Sequence, residues 1–114
     1  MAAPELEVTA QDVRQRLEAG EVQVVDVREQ YEWDAGRIAG DVRHIEMERL
    51  PSQAPTIDKD RPVVFQCRLG TRSLFAAQAF RAQGYEAYSL AGGLQAWHDA
   101  GLPLDPPDGT VADH

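Results

Sequence analysis

PVVFQCRLGTRSLF, residues 62–75, holds the only cysteine of a 114-residue chain at the point where one sequence pattern stops and another starts. Val63, Val64 and Phe65 are apolar at consecutive positions, as in a strand covered on both faces, and Pro62 is tolerated at the first position of such a strand. From Thr71 onward, Leu74, Phe75, Ala76, Ala77, Ala79 and Phe80 spread an apolar arc at helical spacing. This predicts a helix over 71–83, stopped by Gly84. Cys67-Arg68-Leu69-Gly70 is left between them, short enough to require a tight turn. Strand, glycine-bearing turn and helix in that order make half of a βαβ unit.

The same order recurs on both sides. Val22 to Val27 reads as a central strand, followed by a short helix from Arg28 to Asp34 that ends near Gly36. Tyr85 to Leu90 reads as a third strand, leading through Ala91-Gly92-Gly93 into a helix from Leu94 to Ala100, closed by Gly101. A first helix is predicted after Thr9, with Asp12 three positions on as a capping box and Val13 and Leu17 on one face. Asp41 to Ile45 is a weaker, edge-type strand, and Leu50 to Arg61, with its prolines, reads as a surface connection. The expectation is therefore an α/β domain over residues 5–103, with a mostly parallel sheet of about five strands flanked by helices on both faces. Pro103, Pro106, Pro107 and Gly109 mark residues 104–114 as a flexible tail.

Composition narrows the function classes. With 43% hydrophobic and 26% charged residues, the chain can build one core without a staple. One cysteine excludes an internal disulfide, and the lack of clustered Cys/His spacing argues against a structural zinc. No metal or other cofactor is expected. The N-terminal residues lack a basic-then-apolar leader pattern, and no apolar run approaches the roughly 18 residues that cross a bilayer. The expected location is cytoplasmic, where the thiol stays reduced, and the default assembly is a monomer. A net charge of -8 disfavours nonspecific binding to nucleic acid or to anionic membranes.

In parallel sheets, ligands bind beyond the carboxyl ends of the strands. Asp26 to Arg28, Cys67 to Arg72, and Ala91 to Gly93 should therefore converge. A turn wrapped around Cys67 aims backbone N–H groups inward, with Gly70 supplying the unusual dihedral; the positive end of the next helix and the guanidiniums of Arg68 and Arg72 add to them. Such a cradle stabilises a thiolate, which is a nucleophile, and attracts an anionic substrate. A lone cysteine is more often a packing residue, but its strand-end position, the glycine turn and the two arginines favour a reactive role here. Asp26, Arg28 and Ser73 are expected to support the loop. Trp97 should pack the last helix onto the sheet and Trp33 should be a half-buried anchor. His44 and His98 read as surface or helix-face residues and His114 as part of the tail. Glu29 to Glu32 reads as a solvated helix face.

Three blocks carry a family resemblance: Asp26-Val27-Arg28-Glu29 followed by Gly36-Arg37-Ile38-Ala39-Gly40, then Cys67-Arg68-Leu69-Gly70-Thr71-Arg72-Ser73, then Gly92-Gly93-Leu94-Gln95-Ala96-Trp97. In order and spacing they resemble the small, single-domain members of the rhodanese-like sulfurtransferases. The resemblance implies that Cys67 accepts sulfane sulfur from a thiosulfate- or persulfide-type donor. It then passes the sulfur to cyanide, a thiol or a sulfur-relay protein. It also implies that the amides of Arg68, Leu69, Gly70, Thr71 and Arg72 hold the extra sulfur, and that the Arg68 and Arg72 side chains bind the donor's anionic end. The second block departs from the family's usual Gly-His-Ile-Pro-Gly, having Arg37 in place of the histidine. Two other readings compete. Cysteine phosphatases and arsenate reductases use a related thiolate loop but space it Cys-x5-Arg, against Cys-x4-Arg here. A non-catalytic rhodanese-like interaction module would not require the cysteine that this chain keeps.

Overall fold

The computed structural model describes residues 6–114, so the expected domain start at residue 5 lies outside the described residues. In chain order the elements are β1 (Glu7–Val8), α1 (Ala10–Glu18), β2 (Gln23–Asp26), α2 (Gln30–Ala35), β3 (Arg37–Ile38), β4 (Val42–His44), α3 (Leu50–Gln53), β5 (Val63–Gln66), α4 (Thr71–Arg81), β6 (Ala87–Leu90), α5 (Gly93–Asp99) and β7 (Leu104–Asp105). The main sheet runs β1-β6-β5-β2-β4, with every neighbouring pair parallel. The fold is thus α/β, with the cysteine loop leaving a central strand.

Alternate residues of a strand face opposite sides of the sheet, and both sides are covered. Val25, Val63 and Phe65 pack on one face with Ala76, Ala77 and Phe80 of α4 and Leu50 of α3. Val24, Val64 and Leu90 pack on the other with Val13 of α1 and Leu94 and Trp97 of α5. Phe65 is fully buried and meets Phe80 with ring centroids 4.8 Å apart; burying a side chain of this size contributes about 1.5–3 kcal/mol. α1 starts at Thr9 as predicted, with the Asp12 N–H donating to Thr9 Oγ1 at 3.2 Å, but only this half of the expected capping box forms. The Asp12 carboxylate accepts from Arg16 Nε at 3.3 Å. Among the described residues, no helix is long and apolar enough to cross a membrane.

Two expectations are corrected. Residues 50–61 are more than a surface connection: they form α3 and a 3-10 turn at Ala54–Thr56, and they send Leu50 and Ile57 into the core. Residues 104–114 do not form a free tail. β7 pairs antiparallel with β3, the Trp97 indole donates to the Pro103 carbonyl at 2.8 Å, and the Thr110 N–H donates to Ala35 O at 2.9 Å. The Thr110 backbone lies so close to Gly36 that a Cβ on residue 36 would come within 2.8 Å of the Thr110 nitrogen. A glycine is therefore needed there by close approach, which is what seats the last residues against α2.

Candidate active site

Cys67 follows the last residue of β5, and its sulfur faces the start of α4. The Gly70 N–H donates to Sγ at 3.1 Å and the Ser73 N–H at 3.4 Å. Gly70 has φ +104°, a conformation that suits glycine, and this lets the turn fold back over the sulfur. The thiol donates to Ser73 Oγ at 3.4 Å, and Ser73 Oγ is hydrogen-bonded to Ser89 Oγ at 2.7 Å. Loss of the thiol proton reverses this chain, with the Ser73 hydroxyl donating to the sulfur. Ser89 gives no signal in the sequence, since it is one small residue in an ordinary strand.

The carbonyl side of the same turn is held by α5. The Leu94 N–H donates to Cys67 O at 2.8 Å and the Gln95 N–H to Arg68 O at 3.1 Å. Free N–H groups at a helix start need such acceptors, and here they turn the loop carbonyls away from the sulfur. Gly93 stands in the contact: at φ +62° a Cβ would lie 2.5 Å from both the carbonyl carbon and the oxygen of Arg68. The three strand ends thus meet, with Ala91 to Gly93 acting behind the loop.

Cys67, Arg68, Leu69, Thr71, Arg72 and His114 line a depression of about 330 Å³. Cys67 is only 1% exposed and lies at the floor of this depression. Both arginines reach it, and both already hold carboxylates. Arg72 donates from Nη1 and Nη2 to the two Glu32 oxygens, at 2.8 and 3.0 Å. Arg68 donates from Nη2 to Asp113 at 3.1 Å, while its Nε is buried and has no partner among the described residues. Glu32 therefore corrects the expectation of a solvated α2 face: its side chain is fully buried and also accepts the Glu29 N–H at 3.0 Å. His114, expected in a tail, is part of the wall.

Asp26 and Arg28 lie behind the site with no exposed surface. Arg28 Nε donates to both Asp26 oxygens, at 2.9 and 3.0 Å, and Nη2 donates to Oδ2 at 2.7 Å. The rest of the guanidinium reaches Glu32 O at 3.2 Å and Gly36 O at 2.8 Å, which ties down the carbonyls from the middle to the C-terminal end of α2. Through α2 the pair sets the position of Glu32, and hence of Arg72. Arg37, the departure from the usual family histidine, packs over the Trp33 ring at 4.9 Å and pairs with Asp105 at 3.4 Å. Trp33 stacks on His44 at 4.8 Å, and His44 Nε2 is bonded to Arg28 O at 2.7 Å. This is a brace between α2, β4 and β7.

Burial alone would raise the Glu32 carboxyl, but hydrogen bonds from Arg72 and the Glu29 N–H, together with the Arg72 charge, outweigh it and hold Glu32 below the ordinary 4.5. Its folded value is lower than its unfolded one, so the contribution to stability is full above 4.5 and is lost as pH falls from there through the lowered value. In urea unfolding, the stability gap between wild type and Glu32→Gln should be widest at neutral pH and close below pH 4.5. A gap of constant width would mean that the pair does not titrate.

The chain as a whole is similar to known proteins. Residues 9–100 match the family model of the rhodanese-like domain. A sulfurtransferase of Allochromatium vinosum is 37% identical over 105 residues, covering 90% of this chain and 97% of that protein. The thiosulfate sulfurtransferase GlpE of Pseudomonas aeruginosa is 36% identical over 105 residues, covering 91% and 93%. The crystal structure of a rhodanese-related protein from Thermoplasma volcanium superposes with a TM-score of 0.79 at 26% identity, covering 86% of this chain and 95% of that one. With most of its length matched by the family model and by relatives of similar extent, this chain belongs to the rhodanese-like domain family.

Proposed function

We propose that the protein is a sulfurtransferase that carries sulfane sulfur on Cys67. The observation behind this reading is the Gly70 N–H aimed at Sγ at 3.1 Å, beside Ser73 and at the wall of an arginine-lined depression. The attacking form of a cysteine is the thiolate, which needs no general base, and an amide pointed at the sulfur is a donor to it. With thiosulfate as donor, the Cys67 thiolate attacks the outer sulfur and a new S–S bond forms. The donor's own S–S bond breaks, and sulfite leaves with the electron pair. The resulting Cys67 persulfide is an anion of the same charge, one sulfur longer. Thr71 and Arg72 open the first turn of α4, where N–H groups lack helix carbonyls, which supports a role for them in receiving the terminal sulfur. Cyanide or an acceptor thiolate then attacks that terminal sulfur, leaving with it as thiocyanate or as a new persulfide, and the Cys67 thiolate returns. Persulfide-type donors and a sulfur-relay protein fit the same two steps.

Intact mass spectrometry tests this reading: incubation with thiosulfate should add one sulfur, about 32 Da, and cyanide should remove it. A protein that gains no mass yet hydrolyses aryl phosphates would overturn the assignment.

A further inference from the structure

The segment after β7 runs beside α2 to the wall of the Cys67 depression and is fastened along the way. The Thr110 N–H is bonded to Ala35 O at 2.9 Å, and the space that a side chain at Gly36 would need is taken by the Thr110 backbone. The Tyr31 hydroxyl donates to Asp113 O at 3.0 Å, and His114 Nε2 lies 3.2 Å from Glu29 Oε2. Between these fastenings the Asp113 carboxylate sits 3.1 Å from Arg68 Nη2. His114 forms part of the depression wall. Arg72, the other cation of the wall, is matched by Glu32. The two positive charges beside the thiol are therefore each paired with a carboxylate of this chain, which reduces the attraction that the depression offers a small anion.

We infer that Asp113 is a specificity-determining residue: its carboxylate occupies the Arg68 position that the anionic end of a small donor would take, so the site selects against small anions. The inference rests on the sulfur-transfer reading for its substrate, but the competition at Arg68 stands apart from any sulfur chemistry. The Asp113 side chain is 95% exposed, so its pair with Arg68 is the weak, displaceable kind. An anionic donor thus enters by exchange, displacing one carboxylate to gain the guanidinium. A neutral reagent does not bind there and is indifferent to Asp113.

The test uses the full chain and the alkylation rates of Cys67 by iodoacetate, an anion, and iodoacetamide, its neutral counterpart, followed by intact mass. Asp113→Asn should raise the iodoacetate to iodoacetamide rate ratio about threefold, the scale of one exposed ion pair. Asp108→Asn makes the same charge change at an exposed position of the same segment and should leave the ratio unchanged. An unaltered ratio in Asp113→Asn overturns the inference. So does an equal rise for both reagents, which would make the segment a mechanical cover, and so does an equal effect of Asp108→Asn, which would make it long-range charge. A shifted ratio in a protein that gains no sulfur from thiosulfate would sink the sulfurtransferase reading and leave Asp113's role standing. A normal sulfur gain with an unshifted ratio would do the reverse.

Discussion

Cys67→Ser should lose thiosulfate turnover and the sulfur mass gain completely, while unfolding within about 1 kcal/mol of wild type. No second thiol is present to take over, because Cys67 is the only cysteine of the chain. A hydroxyl is intrinsically a far weaker acid and nucleophile than a thiol, and the groups around it supply no base to change that: Sγ is met by two backbone N–H donors and the Ser73 hydroxyl. The fold should tolerate the change because the hydroxyl still accepts from Gly70 and Ser73. Cys67→Ala separates these two roles. It is equally inactive, but it removes the acceptor from two buried N–H groups, and stranded donors of this kind cost about 1–3 kcal/mol. Urea unfolding of the three proteins should therefore rank wild type and Ser together and Ala below them. Residual turnover in Cys67→Ser would reject Cys67 as the nucleophile, and equal stability of Ser and Ala would mean that the sulfur is not an acceptor in the folded protein.

The cysteine turn was legible in the sequence because each part of it is local. Val63 to Phe65 shows the two-faced apolar run of a central strand, Gly70 permits the turn, and the apolar arc of α4 begins directly after. What could not be read is what distant segments do to local patterns. β1, β3 and β7 have two residues each, too few to show a period. Glu32 sits in a six-residue helix where charge suggests solvent, yet its partner is Arg72, forty positions on in sequence. The prolines and glycine after residue 103 suggest freedom, whereas the order of that segment comes from β3, Ala35 and Tyr31. The same remoteness explains the arginines. A count of cations around Cys67 finds two, and only the fold reveals that Glu32 and Asp113 neutralise them.

Asp26→Ala is expected to be among the most destabilising single changes in the protein, costing about 3–5 kcal/mol. Both partners of the Asp26–Arg28 pair are fully buried, so removing the carboxylate leaves a guanidinium with no water to solvate it. The Arg28 N–H also loses its acceptor, since it donates to Asp26 Oδ1 at 3.0 Å. Removing both charges together should be far milder: Asp26→Leu with Arg28→Met fills the space without an unpaired ion, and such exchanges are often close to neutral. The double variant should nevertheless show what the pair does for the site. Arg28 joins Glu32 O to Gly36 O, so without it α2 loses a clamp that presents Glu32 to Arg72. A protein that unfolds near wild type in urea but turns over thiosulfate more slowly, with its Glu32-dependent acid transition blunted, would identify the pair as the device that positions Arg72. If Asp26→Ala unfolds within about 1 kcal/mol of wild type, the guanidinium has found other partners and the clamp is not essential. The order of effects follows from burial: a pair with no exposed surface holds α2 in place, whereas the 95% exposed Asp113 can only tune access to the site that α2 helps build.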